Sequence, residues 1–300
     1  MRIAIGIDLG GTELRAAAID ETAQVLRHAR LPTAAEAGPI AIVEQIARLV
    51  DNVSSGLDPT GIGIGSPGPL DAATGTVIHA PMLHGWRDVP LVQLVTDRTG
   101  LPTFLENDAN AAALAEWRFG AAQGLRHMVY VTVSTGIGGG IVIDGRLLHG
   151  HRSLAGEIGH MTVTENPIPC ACGGFGCWES LASGSALGRR AREAGLQADG
   201  PMTARVVAER AAAGDETARR LMAEEARYLG IGFANLLHLY APEMIVVGGG
   251  VSAALPQMAE EIARTVSVRA MPAYADVPIR AAGLGTQAGV IGAALLALPG

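Results

Sequence analysis

Cys170, Cys172 and Cys177 are the three cysteines of this chain, and they lie within eight positions of one another, with His160 just upstream. Three thiolates and an imidazole in one short segment are a donor set for a tetrahedral zinc ion, closed to further ligands when the role is structural. Gly173, Gly174 and Gly176 permit the tight turns that bring the sulfurs together. Buried apolar cysteines are the plainer alternative, but those would be scattered along the chain. The odd count, with no other sign of an oxidising compartment, argues against a disulfide framework.

A second set of residues points to phosphate. Asp8-Leu9-Gly10-Gly11-Thr12 has the form of a strand ending in an acid and a glycine turn. Such a turn lets backbone N–H groups approach phosphate oxygens, and Thr12 adds a hydroxyl. Thr135 and Gly136 open a similar run through Gly140, and two such turns can grip one polyphosphate from both sides. Asp8 is placed to hold the Mg2+ of a nucleotide through water, since that cation prefers oxygen ligands and keeps part of its shell. The run Gly248-Gly249-Gly250 follows an apolar stretch and lets an adenosine lie flat on the backbone. Asp108, in Glu106-Asn107-Asp108, stands at a helix N-terminus, where the dipole favours the carboxylate. Beside a phosphate site it can accept the proton of an attacking hydroxyl; taken alone, it reads as an ordinary N-cap.

The elements that must carry these groups are legible as periodicities. Strands are expected at residues 2–8, 13–19, 24–30 and 61–65, with a helix over 39–53 whose apolar residues Ile40, Val43, Ile46, Ala47 and Val50 keep helical spacing. The pattern returns with strands at 127–134 and 141–143, a glycine turn over 135–140 between them, and a hairpin signal at Asp144-Gly145. Strand, glycine turn, strand, polar turn is thus written twice, which suggests an internal duplication and two similar domains facing a cleft. Helices are expected over 107–119, through much of 184–240, and over 286–298, with a strand at 244–247. Trp86, Trp117 and Trp178 read as packing residues, His149 and His151 as surface residues, and the arginine-rich helices as solvated faces or a subunit contact.

The composition bounds the function. The chain has 300 residues, 49% of them hydrophobic, and 40 glycines, an α/β composition with many tight turns. A net charge of −7 argues against a nucleic-acid surface. No apolar run is long enough to span a bilayer, and the first one, ending at Asp8, lacks the form of a signal peptide. These features lead to the expectation of a cytoplasmic protein.

Five segments together carry a resemblance: 8–12, 106–110 (Glu-Asn-Asp-Ala-Asn), 135–140 (Thr-Gly-Ile-Gly-Gly-Gly), 156–160 (Gly-Glu-Ile-Gly-His) and 170–179 (Cys-Ala-Cys-Gly-Gly-Phe-Gly-Cys-Trp-Glu). In this order and over nearly the whole chain they resemble the ROK family (repressors, open reading frames, sugar kinases), and within it the ATP-dependent glucokinase branch. The resemblance implies two actin-like, ribonuclease-H-like α/β domains around a central cleft, here 1–106 completed by a C-terminal helix at 288–300, and 107–287 with the zinc site. It implies ATP-dependent phosphorylation of glucose at the 6-hydroxyl with Asp108 as general base. Sugar contacts would come from Gly68, Asn107, Asp108, Glu157, His160 and Glu179, and nucleotide contacts from Asp8, Gly10, Gly11, Thr12, Thr135, Gly136, Gly249 and Gly250, with Mg2+. His160, Cys170, Cys172 and Cys177 would hold a structural zinc, and the family's habit implies a homodimer or homotetramer.

Two residues depart from the family. Glu13 stands where members often have Lys; facing the cleft it would repel phosphates, and the preferred reading is that the strand pleat turns it out. Met82 stands where glucokinases often have Asn after Ala80-Pro81, which leaves open the choice among glucose, mannose, fructose, N-acetylglucosamine and N-acetylmannosamine. Repressors of the family carry a helix-turn-helix before the first phosphate strand, and the strand at Arg2 leaves no room for one. Inorganic polyphosphate as donor would call for a basic cleft, which an acidic chain does not suggest, and a non-catalytic sugar sensor is the remaining alternative.

Overall fold

The computed structural model describes residues 1–298. The chain divides into two compact units, the first made of residues 1–124, 147–156 and the segment from Leu284 onward, the second of residues 125–146 and 157–283.

The first unit is built on β1 (Ile3–Leu9), whose apolar run is buried on both faces until Asp8. It pairs antiparallel with β2 (Glu13–Asp20), which pairs antiparallel with β3 (Val25–Pro32). Helix α1 (Gly38–Ser54) takes Pro39 in its first turn, where no N–H is needed, and buries Ile42, Val43, Ile46, Leu49, Val50 and Val53. β4 (Ile62–Ser66) then runs parallel to β1. A small antiparallel sheet of β5 (Leu70–Asp71), β6 (Thr76–His79) and β7 (Arg87–Val89) follows. Helix α2 (Leu91–Thr99) leads to β8 (Thr103–Asn107), parallel to β4, so the sheet order is β3-β2-β1-β4-β8.

Helix α3 (Asp108–Phe119) and residues 147–156, assigned on sequence to the second domain, keep company with the first unit. The reason for α3 is packing. It lies against the C-terminal helix, Ala288–Leu295, so closely that a Cβ on Gly292 would stand 1.6 Å from the Ala111 carbonyl oxygen. That helix in turn seats on β4, where a Cβ on Gly63 would stand 1.7 Å from the Ala293 carbonyl. The expected helix over 288–300 ends regular structure earlier, and residues 299 and 300 lie outside the described residues.

The second unit repeats the plan. β9 (Met128–Val133) pairs antiparallel with β10 (Ile137–Ile143), beside β11 (Arg146–Leu147). Asp144 and Gly145 between β10 and β11 both have positive φ, 52° and 70°, as a tight hairpin turn requires. Helices α4 (Trp178–Ala182), α5 (Gly184–Glu193), α6 (Ala204–Ala212) and α7 (Glu216–Tyr240) precede β12 (Met244–Gly248). Helix α8 (Leu255–Arg269) and β13 (Ile279–Ala281) complete an order of β11-β10-β9-β12-β13, with β9, β12 and β13 parallel. Each unit thus has the strand order of an actin-like, ribonuclease-H-like α/β fold, and the duplication read from the sequence is a duplication of topology.

The glycine run over 135–140 is not one turn. Gly138, Gly139 and Gly140 pair with Thr132, Val131 and Tyr130 inside β10, and the turn is confined to 134–136. The arginines expected on solvated faces also divide: Arg190 is mostly withdrawn from solvent between α5 and α7, where it binds Glu225, whose side chain is fully enclosed. Among the described residues no helix is long and apolar enough to cross a membrane.

Candidate active site and metal centre

In open α/β sheets, ligand groups gather beyond the carboxyl ends of the parallel strands. In the first unit β1 ends just past Asp8, at Leu9, β4 at Ser66 before the loop through Gly68, and β8 at Asn107. Register opposes Asp8 and Arg15, so both side chains lie on one face, and Arg15 Nη1 is 3.9 Å from Asp8 Oδ2. Burial pushes the Asp8 carboxyl above its ordinary range, Arg15 pulls it back and Glu13 adds to the rise. A mostly buried oxygen donor seeking positive charge fits a hydrated magnesium ion.

The turn that follows is fixed from behind. The Gly10 N–H donates to the Glu13 carbonyl, the Thr33 hydroxyl donates to the Gly10 carbonyl and the Thr33 N–H to that of Thr12, while Thr12 itself is exposed. A Cβ on Gly11 would stand 2.8 Å from Met82 Cγ, so Met82, 52% exposed, backs onto this turn. Glu13 is not turned away by the pleat. It is two residues from Arg15 on the same strand face, and its carboxylate is bound by Arg15 Nε at 2.6 Å and Arg30 Nη1 at 3.2 Å. The arginine contacts hold its carboxyl below the ordinary range and neutralise its charge.

Asn107 is the N-cap of α3. Its φ/ψ of −63°/142° is extended, and its side-chain oxygen accepts the N–H groups of Ala109 and Asn110. Asp108 is therefore the first helical residue rather than the cap; its Oδ1 accepts the Ala109 N–H at 2.7 Å. A Cβ on Gly65 would stand 3.5 Å from Asp108 Cα, and one on Gly68 3.6 Å from Asn107 Nδ2. The loop at Gly68, Asn107 and Asp108 are thus one cluster. Next to Asn107 lies Glu106, whose hydrogen-bond partners include His149. The expectation of His149 at the surface holds, its side chain being half-exposed, while its bond to Glu106, 43 residues back, has no local signal.

In the second unit Glu179, near the start of α4, accepts the Ile137 N–H at 2.9 Å, and a Cβ on Gly136 would stand 2.3 Å from its Oε2. The Thr135-Gly136 turn and Glu179 are one feature, and only glycine at 136 admits it. His160 Nε2 is 3.9 Å from Glu157 Oε2, while its Nδ1 is 3.6 Å from Cys170 Sγ. Burial pushes the Glu157 carboxyl up, His160 opposes this, and Glu179 reinforces it. Gly249, with φ 81°, lies against the end of β9, where a Cβ would meet the Val133 carbonyl at 2.4 Å; a Cβ on Gly250 would meet nothing within 4 Å. That backbone is open to a flat ligand.

The donor set at His160, Cys170, Cys172 and Cys177 passes a geometric test. The four ligand atoms lie within 4.8 Å of one another, with Cys172 and Cys177 sulfurs 3.7 Å apart and the Cys170 sulfur 3.6 Å from His160 Nδ1. A tetrahedron with Zn–S of about 2.3 Å and Zn–N of about 2.05 Å has edges of about 3.8 Å and 3.6 Å. Burial pushes the Cys177 thiol up to about 12, with the neighbouring cysteines adding to it. As thiolates at this spacing the three would need a cation among them. Cys177 occupies the N-cap position of α4, so the metal donors and Glu179 are two residues apart on one rigid start. Trp178 between them is fully buried, donates Nε1–H to the Tyr228 carbonyl at 2.8 Å and meets Phe233 edge-on.

The ROK family matches residues 4–299. A glucokinase from Halalkalibacterium halodurans is 40% identical, over 96% of this chain and 92% of the relative. An N-acetylmannosamine kinase from Citrobacter koseri is 37% identical, over 98% of each chain. Among solved structures, a ROK family glucokinase from Streptomyces griseus in complex with glucose and AMPPNP is similar with a TM-score of 0.87 and 37% identity, covering 99% of this chain and 100% of that one.

Proposed function

We propose, from the premise that the chain belongs to the ROK family and is a hexokinase-type phosphotransferase, that it transfers the γ-phosphoryl group of ATP to the 6-hydroxyl of glucose. The observation that carries the assignment of the base is the capping of α3 by Asn107, which leaves Asp108 as the first residue at a positive helix end. Asp108 takes the proton of the 6-hydroxyl as that oxygen bonds to the γ-phosphorus. The bond from phosphorus to the bridging oxygen breaks, and ADP departs with the electron pair.

The remaining residues bind and orient. Gly68, Asn107, Glu157, His160 and Glu179 meet the sugar hydroxyls, and a site built of such groups rejects analogues that lack a hydroxyl. The turns at Gly10, Gly11 and Thr12 and at Thr135 and Gly136 take the phosphates, and Gly249 and Gly250 the adenosine. Asp8 would hold Mg2+ through water; when bound, that ion neutralises phosphate charge. Cys170, Cys172, Cys177 and His160 Nδ1 would hold zinc in a structural role. With Nδ1 so committed, His160 carries its proton on Nε2, the nitrogen on the Glu157 side. The enzyme is assigned to the cytoplasm as a homodimer or homotetramer, the latter read by light scattering.

A coupled ADP-release assay with Mg-ATP and a panel of hexoses tests the reading. Glucose should give the highest kcat/KM. The second reading, N-acetylmannosamine, is favoured by similarity to the relative of that activity; a higher kcat/KM for that sugar would replace glucose. No turnover with any hexose in zinc-loaded protein, with ATP or polyphosphate, would refute the kinase reading.

A further inference from the structure

Glu106 ends β8 one residue before the cap of α3, and its side chain is 4% exposed. Its Oε1 accepts the Asn107 N–H at 2.9 Å and the Asn110 Nδ2–H at 3.0 Å. Its Oε2 lies 2.7 Å from His149 Nε2, which comes from residues 147–156 of the same unit. One buried carboxylate therefore ties the entrance of the helix with one oxygen and an imidazole with the other. We infer that His149 is a positioning residue for phosphoryl transfer: by donating from Nε2 to Glu106 it holds that carboxylate against the first turn of α3 and so sets the aim of Asp108. The inference rests on the reading of Asp108 as base.

Glu106 is buried, and the His149 side chain that meets it is half-exposed. A buried carboxylate oxygen that loses its donor keeps the full cost of desolvation. With the half-exposed His149 gone, Glu106 Oε2 turns toward the water that replaces it. That rotation weakens or removes the acceptor now serving the Asn107 N–H and the Asn110 amide. Asn110 is itself buried, and Asn107 holds the extended conformation from which its side chain caps the helix. A shift at Glu106 thus passes directly to the two residues that define where Asp108 begins.

The segment that brings His149 here is built for the purpose. Gly150, Arg152 and Ser153 have φ of 65°, 53° and 57°, a left-handed path that two of these residues adopt at a cost. Two contacts offset it, the His149–Glu106 bond and the approach of Arg152 Nε to Asp71 Oδ2 at 3.7 Å. Glu106, with the Leu147 carbonyl, raises the His149 pKa. The positioning does not depend on that charge, because the neutral tautomer with Nε2–H donates equally well.

The test uses full-length His149→Ala and His149→Gln, followed by amide hydrogen exchange at Asn107, Ala109 and Asn110 and by steady-state kinetics with Mg-ATP and glucose. In the alanine variant these amides should lose protection about tenfold or more while the β1 and β4 amides keep theirs. Its kcat should fall about 10- to 100-fold, the effect of a small misplacement, with the glucose KM within about threefold. Glutamine, whose amide N–H reaches the place of Nε2, should restore most of both. Unchanged exchange in His149→Ala overturns the inference, as does full kcat despite lost protection, or glutamine as impaired as alanine. A fall in kcat matched by a fall in glucose-binding stoichiometry also overturns it, since that reports misfolded protein. If the wild type phosphorylates no hexose, the functional reading fails, and the exchange data alone still decide whether His149 holds the helix start.

Discussion

Replacing Cys177 with serine should uncouple sugar binding from nucleotide binding. The four metal donors match a tetrahedron within about 0.1 Å on the two edges compared, so the loss of one thiolate removes the closed site rather than loosening it. The unit should nevertheless stay folded. Trp178, next in the chain, is fully buried, keeps its bond to the Tyr228 carbonyl and packs edge-on against Phe233. Burial of such a side chain and its aromatic contact are worth about 3 kcal/mol or more, and the sheet β11-β10-β9-β12-β13 does not involve the metal loop. What is lost is the placement of Glu157, His160 and Glu179. Three hydrogen-bonding groups at about 1 kcal/mol each amount to about 3 kcal/mol, a weakening of glucose binding by about 150-fold. The assay is zinc per chain by elemental analysis, glucose and Mg-ATP affinity by calorimetry, and circular dichroism as a control for folding. Wild type should carry about one zinc per chain, the variant none, and Mg-ATP affinity should change little. A zinc-free, folded variant that binds glucose within about threefold of wild type would refute the clamp, as would wild type purified without zinc.

Asp108→Asn removes the proton acceptor and should lower kcat by about 10²- to 10⁴-fold while glucose affinity holds; turnover within tenfold of wild type would remove Asp108 from the role of base. Gly232→Ala places a Cβ 2.0 Å from Trp178 Cε2. Overpacking should cost about 1–3 kcal/mol and, because Trp178 precedes Glu179, raise the glucose KM as well; a stability loss with no change in KM would deny that α7 positions Glu179. Burial pushes the Glu225 carboxyl up to about 8 against the pull of Arg190. The folded chain then holds a proton that the unfolded chain releases near pH 4.5, so this contribution to stability is full below that pH and is lost as pH rises toward 8. Glu225→Gln should flatten the decline of Tm between pH 5 and pH 8 by a few degrees, and equal slopes in both proteins would refute the assignment.

What could be read before folding was whatever the chain keeps local. The thiols and His160 are near neighbours in sequence, so the cluster whose ligand atoms lie within 4.8 Å of one another was legible from spacing as a set that could hold a metal. The duplication was legible because the first strands of both units are buried on both faces and so read as unbroken apolar runs. The short strands β5 to β7 and β13 were missed, since a strand of two to four residues carries too little pattern to separate from loop; β8, α2 and α8 were missed as well. Glycine misled in the other direction, since Gly138 to Gly140 suggested a turn and instead pair across β10 with β9.

The errors with the greatest bearing on function were errors about charge. Glu13 was expected to escape the phosphate turn by facing away, and it remains on the Asp8 face, neutralised by Arg15 and by Arg30 from the next strand. Arg190 was expected in water and is enclosed with Glu225, 35 residues on. His149 is half-exposed, in keeping with the surface expectation, and what went unread is its bond to Glu106, 43 residues back. A charged side chain is tolerated in a dry setting only when its partner is present, and for the enclosed Glu225 and Glu106 that partner arrives by tertiary folding. The chemistry of a single residue type was legible at every one of these positions. Its electrostatic consequence was not, because that belongs to a pair, and the pairs at Glu106–His149 and Glu13–Arg15–Arg30 stand beside the proposed base and the first phosphate turn. The residues most able to tune this site are therefore those whose roles a linear motif cannot display.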